Sequence, residues 1–280
     1  MRIGILLLFA SAACAGDGTY CAAWSPDGKW WAFGSDHSLR IVDAGTQKVV
    51  RTIPTWSTVH DVRFDATSQR LLFSGKGNTF TIAELDGRIV VKHKEVNPVV
   101  AFSAAWSADG KTVLSMGPKK TLLVWKHPFD KPARRIEGGG PLWKYALTAD
   151  GARAIAVDTE GYLTLWNARD GKKLLRTRAH DGYVFAMQLD RLLATGGSAR
   201  DRTVALLDPL SLRLVRRIDA GLIVNSLAFS PGGSMLAVGG KNRVHLYDVA
   251  TGSLRKKWKS GSAGLAFSPD GKRLLTVSTR

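Results

Sequence analysis

Short apolar stretches of four to seven residues recur along the chain, separated by small clusters of Gly, Pro, Asp, Asn and Ser. Between 225 and 259 they read "NSLAFS", "MLAVGG", "RVHLYDV" and "SLRKKWK", parted by "PGG", "KN" and "ATG". Between 144 and 178 they read "KYALT", "ARAIAV", "YLTLWNA" and "KKLLRTR". Stretches this short, bounded by turn residues at even spacing, predict β-strands rather than helices. The chain is expected to be all-β.

A longer period lies over this pattern. "WSPDGKWWAF" at Trp24–Phe33 has a close relative in "FSPDGKRLL" at Phe267–Leu275. Pro presets one turn angle, Gly accepts the left-handed one, and the flanking apolar residues favour extended chain, so the phrase reads as a tight hairpin. Its aromatic or apolar anchor recurs at Trp24, Phe64, Trp106, Leu147, Phe229 and Phe267. The gaps are 40, 42, 41, 82 and 38 residues, and "AMQLDRLLATGG" (Ala186–Gly197) fills the double gap on a shortened turn. A small residue precedes the anchor in five units, at Ala23, Ala105, Ala146, Ala228 and Ala266, which implies a crowded inner strand.

Four strands in a unit of about 40 residues is the pattern of a propeller blade. Close to seven units fit in 280 residues. The expectation is a β-propeller of four-stranded antiparallel blades over residues 19–280, seven-bladed with an incomplete last blade. Six complete blades plus a half blade is the alternative.

The third strands carry a family resemblance. "LYDVATG" (Leu246–Gly252), "LWNARDG" (Leu165–Gly171), "LLDPLSL" (Leu206–Leu212) and the longer "GGSARDRTVALLD" (Gly196–Asp208) resemble WD repeats. "WSPDGKWWAF" is also similar to repeats of the bacterial Tol-system periplasmic propeller, which implies a bacterial source. The WD family often ties a blade together with a buried network of His, Ser or Thr, Asp and Trp. By that resemblance His180, Thr195 and Asp201 form such a network in the fifth unit, with Leu207 where Trp would stand. In the other units the His position holds Thr55, Asn97 or a small residue, so the network is expected to be mostly absent.

The beginning, "MRIGILLLFASAACAGDGTY", reads two ways. One Arg, an apolar run and small residues resemble a secretory signal over 1–15, or a lipoprotein signal with Cys14 lipidated as a membrane tether. That reading makes the protein periplasmic, secreted or membrane-anchored. Alternatively, residues 2–10 are an outer strand that closes the ring, and the protein is cytoplasmic. The last unit ends after two of its four strands, which leaves room for a strand from elsewhere.

Charge then narrows the partners. The formal net charge is +17, which invites an acidic partner. Nearly half of the 40 basic residues fall on fourth strands, the outer edges of blades, where Lys and Arg discourage edge-to-edge pairing. The loops after second and fourth strands are the expected partner face. They hold Trp56, Lys119, Lys120, Trp143, Tyr183, Arg202, Lys241 and Arg243, and exposed aromatics with Arg are hot-spot chemistry. Packing between blades is the competing role for each Trp.

Candidate catalytic chemistry is sparse. First strands should line the central channel, and among them His60 and Asp61 stand out as acid, base or ligand. Adjacent strand residues point to opposite faces, so the pair is not expected to converge. No zinc spacing, nucleophile elbow or phosphate loop occurs. No cofactor is implied. The expected function is a non-catalytic scaffold for protein partners. Polyanion binding through the basic outer rim, to nucleic acid or an anionic surface, is the alternative, and a propeller enzyme with a channel site is the weaker one.

Overall fold

A computed structural model describes residues 5–9, 19–75, 78–93, 103–118, 121–138 and 142–277. Six four-stranded sheets follow one another along the chain. They are β2–β5 (Thr19–Trp24, Trp30–Ser35, Ser38–Asp43, Val49–Pro54) and β6–β9 (Val59–Phe64, Arg70–Gly75, Asn78–Glu84, Ile89–His93). Next come β10–β13 (Ala105–Trp106, Thr112–Gly117, Thr121–Lys126, Pro132–Glu137) and β14–β17 (Leu142–Leu147, Arg153–Asp158, Tyr162–Asn167, Lys173–Arg178). Then β18–β21 (Val184–Leu189, Leu193–Gly197, Thr203–Leu207, Leu214–Asp219) and β22–β25 (Ser226–Phe229, Met235–Gly239, Val244–Asp248, Leu254–Trp258). Within each sheet every neighbouring pair is antiparallel.

Among the described residues the seventh sheet has three strands: β26 (Gly264–Phe267), β27 (Arg273–Val277) and β1 (Leu6–Phe9). The apolar run that reads as an export signal is thus paired in the fold, with Leu6 opposite Arg273 and Leu8 opposite Leu275. It takes the third place rather than the outer one, and it runs parallel to β27.

The repeated phrase folds as a hydrogen-bonded turn. Ser25 O accepts the Gly28 N–H at 2.9 Å, with Gly28 at φ +72°. Ser25 Oγ donates to Asp27 Oδ1 at 2.6 Å and accepts the Trp30 N–H at 2.9 Å. Ser107 with Asp109, Thr148 with Asp150, and Ser268 with Asp270 repeat the arrangement. In the second blade Asp65 substitutes, accepting from the N–H groups of Gln69 and Arg70 at 3.0 Å each.

Sheet faces pack on sheet faces around the ring. Among the described residues, buried apolar side chains cluster at each of the seven seams, including the seam between the seventh and first blades. There Trp24, Trp31 and Phe33 meet Leu275 and Val277. First strands line the central channel, and Ala23, Ala105, Ala146, Ala228 and Ala266 all face it. Their smallness is explained by convergence of seven strands on one axis. Fourth strands are mostly exposed, as an outer edge should be.

Candidate functional site: the channel and its mouth

The channel encloses about 660 Å³. Its wall departs from regular strand alternation in a repeated way. In β2, β6, β14 and β18 the pairing register shifts by one residue, at Tyr20, His60, Trp143 and Phe185. A bulge re-aims the extra residue and sharpens the local twist. Each bulge carries an aromatic or imidazole ring at the start of an inner strand. The rings of Tyr20 and His60 meet edge to face at 5.5 Å. Trp143 meets Tyr183 at 5.9 Å and Phe185 at 6.5 Å, and Tyr183 stacks with Phe185 at 6.1 Å. One end of the channel is thereby rimmed by rings from the first, second, fourth and fifth blades.

The bulge also corrects the expectation for His60 and Asp61. Both line the channel, because the register shift breaks the alternation that would have separated them. The residue after each bulge is Cys21, Asp61, Lys144 or Ala186, all facing inward. Arg63 and Lys144 belong to this wall and escaped sequence reasoning. The signal for Lys144 was its shared repeat position with Cys21 and Asp61, and the signal for Arg63 was that it stands where other units place Ala before the anchor.

Side chains here serve the short inner strand of the third blade. β10 has only two residues, so the preceding backbone needs other partners. Asp61 Oδ2 accepts the Ala104 N–H at 3.1 Å, and Arg63 Nε donates to Ala104 O at 3.1 Å. Arg63 Nε also lies 3.5 Å from Asp61 Oδ2. From the fourth blade, Tyr145 accepts the Met116 N–H at 3.0 Å and donates to Ser103 O.

Electrostatics follow from burial. Burial, with the nearby Arg63 charge, lowers the Lys144 pKa against the opposing pull of Asp61. Burial and then Lys144 hold the His60 imidazole below its usual value. Burial and the Asp61 charge push the Cys21 thiol up, and the thiol donates to Val59 O at 3.5 Å. A buried protonated thiol is unreactive. Among the described residues, no group of three His, Cys, Asp or Glu side chains is arranged to hold a metal ion.

The described members of the predicted partner set are spread over loops of several blades. Trp56 stands 76% exposed between the first and second blades, with Lys92 Nζ 5.3 Å from its ring centre. Trp143 is half-buried against the fifth blade's Tyr183 and Phe185, the inter-blade packing weighed against an exposed role. Tyr183 is 46% exposed, and Arg202, Lys241 and Arg243 are exposed on loops of the fifth and sixth blades. Lys119, Lys120 and Cys14 lie outside the described residues.

The fifth-blade network is assembled. His180 Nδ1 donates to Asp201 Oδ2 at 2.8 Å, and Thr195 Oγ1 lies 2.9 Å from His180 Nε2. Burial lowers the His180 pKa more than Asp201 raises it, which favours the neutral ring. Asp201 also accepts the N–H groups of Asp181 and Thr203 at 3.2 Å each. The Trp missing there has a counterpart in the third blade, where Trp125 Nε1 donates to Ser115 Oγ at 2.8 Å. Trp125 and Ser115 hold the same register places as Leu207 and Thr195. Sequence reasoning overlooked this pair.

Comparisons with known proteins agree with this architecture. Residues 11–43 and 214–248 match the family described as WD domain, G-beta repeat. The U3 small nucleolar RNA-associated protein 15 homolog of Xenopus laevis is 23% identical over 236 residues, covering 81% of this chain and 45% of that protein. The chain thus spans about half the length of this curated relative. Small ribosomal subunit protein RACK1y of Oryza sativa subsp. japonica is 32% identical over 88 residues, 30% of this chain and 26% of that protein. The solved Cps50 (Swd1) β-propeller domain of Myceliophteria thermophila superposes with a TM-score of 0.80 at 16% identity, over 92% of each chain. The relatives are eukaryotic, and their names place them with small nucleolar RNA and the small ribosomal subunit. They overturn the expectation of a periplasmic, secreted or lipid-anchored protein. The solved neighbour supports the β-propeller fold, with seven blades around one channel, and the two matched segments are similar to WD repeats.

Proposed function

We propose that this chain is a non-catalytic platform that binds protein partners through loops held rigid by the ring. The observation that carries the reading is Trp56, a large aromatic 76% exposed on a short loop beside a cation. Exposed Trp next to a positive charge is the chemistry that anchors interfaces. The names of the relatives support it, since a ribosomal subunit protein and an RNA-associated protein are components of assemblies. The channel supports the non-catalytic part. Asp61 and Arg63 are engaged with backbone groups, and the Cys21 thiol is buried and protonated.

The resemblance of the Trp24–Phe33 phrase to Tol-system repeats rests on that hairpin. Its Ser, Asp and Gly turn chemistry accounts for the likeness without a shared source.

The test compares the native protein with Trp56→Ala by quantitative proximity labelling in cells, with matched melting temperatures. Selective loss of partners in the variant is expected. An unchanged partner set would remove Trp56 as the anchor.

Polyanion binding is a second reading. On the outer edges several cations are paired with carboxylates, as in Arg176 with Asp158 and Arg255 with Asp248, both at 2.8–2.9 Å. A more specific cationic surface lies at the channel-mouth end of the fifth and sixth blades.

A further inference from the structure

Loops at one end of the fourth, fifth and sixth blades form a continuous surface. The Asp181 N–H reaches Asp201, which ties the Tyr183 loop to the 198–202 loop. That loop contacts the next connection through Ala220 N to Arg202 O at 3.1 Å and Val224 N to Gly197 O at 3.2 Å. The connection then meets the 239–243 loop through Asn225 N to Gly239 O at 2.8 Å.

Six exposed cations stand along this surface: Arg200, Arg202, Lys241, Arg243, Lys257 and Lys259. Among the described residues none of the six forms an ion pair. Pairing of Val244 with Trp258 sets Arg243 and Lys259 at the same end of adjacent strands. Arg243 and Lys257 are both close enough to depress the buried His245. Asp181 is occupied by Arg178 at 2.7 Å and Asp201 by His180, which leaves the exposed Asp219 as the nearby carboxylate. At the fourth-blade side the cations give way to the exposed ring of Tyr183 and the half-buried ring of Trp143.

The geometry points to a binding surface for single-stranded nucleic acid, with phosphates on the cations of the fifth and sixth blades and bases against Tyr183 and Trp143. Cations that track a backbone beside aromatic faces are what a single strand needs. An anionic membrane would use the charge and leave the rings without a role. A duplex hides its base faces. This site is separate from Trp56, so either proposal can fail alone.

The experiment is fluorescence anisotropy with a labelled oligouridylate about 20 nucleotides long, titrated across salt concentrations. The variants are Arg202→Asn/Lys241→Ala/Arg243→Ala and, separately, Tyr183→Ala. Asn is chosen at 202 because that residue has φ +50°, which Asn tolerates. The triple variant should bind at least tenfold more weakly, and its log–log salt slope should flatten by about 2, at about 0.7 per phosphate contact. Tyr183→Ala should weaken oligouridylate about tenfold and leave heparin unchanged. A control, Lys48→Ala/Arg51→Ala beside and on β5, should bind as the native protein does. All variants are checked for native circular dichroism and melting. Native affinity in the triple variant would overturn the proposal. So would equal loss in the β5 control, equal effects of Tyr183→Ala on oligouridylate and heparin, or preference for phosphatidylserine vesicles over the oligonucleotide.

Discussion

The guanidinium of Arg273 lies 4.5 Å from the ring centre of Trp24, although the two residues sit near opposite ends of the chain. Arg273 Nη1 also donates to Ala44 O at 3.2 Å. One side chain from the second strand of the seventh blade thus grips the first blade twice. Arg70 repeats the first contact between the second and third blades, 5.5 Å from the ring of Trp106.

Arg273→Met should therefore loosen the closing seam. A partly desolvated cation–π contact is worth about 1 kcal/mol, and the lost hydrogen bond adds about 1 more. Urea denaturation should show that loss, and hydrogen exchange should rise first in β27 and β2. A double-mutant cycle with Trp24→Leu should give a coupling of about 0.5–1 kcal/mol. Additive effects would mean that the contact is incidental.

Tyr145→Phe removes one oxygen and leaves two buried backbone groups, Ser103 O and Met116 N–H, without their partner. An unsatisfied buried polar group costs about 1–3 kcal/mol, so the substitution should cost at least about 2 kcal/mol. Chemical denaturation measures it. A loss under about 0.5 kcal/mol would show that the inner edge of the third blade relaxes to new partners.

Gly75 is required by close approach. A Cβ there would stand 1.9 Å from Thr58 O, a backbone atom of the segment leading into the His60 bulge. Gly75→Ala must push two backbones apart and should destabilise by about 3 kcal/mol or more. A native melting temperature in this variant would mean that the bulge moves freely.

His245 gives the fold an acid-sensitive point. It is buried, its Nδ1 lies 3.1 Å from Tyr247 Oη, and its Nε2 has no hydrogen-bond partner among the described residues. Burial, then Lys257 and Arg243, lower its pKa below the usual 6.5. Its contribution to stability is therefore complete above about pH 6.5 and is lost as pH falls toward the lower folded value. His245→Phe should raise the melting temperature, and its advantage should widen from pH 7 to pH 5. A constant difference across that range would show that His245 does not titrate there.

The period, the four strands per unit and the turn chemistry are legible along the chain. These are local: Ser25, Asp27 and Gly28 satisfy one another within a few residues, and alternation marks the buried faces. Juxtaposition of His180, Thr195 and Asp201 was also legible, because the WD-repeat resemblance names those places. Closure of the ring and the lining of its channel depend on long-range packing. A parallel strand of Leu6–Phe9 against β27 joins the two ends of the chain, and no short-range pattern encodes such pairing. The bulges at Tyr20, His60 and Phe185 turn neighbouring residues to the same wall, so a period of two misplaces them. Asp61 read as site chemistry in one dimension, and in three it joins Arg63 in completing the hydrogen bonds of a two-residue strand in the next blade.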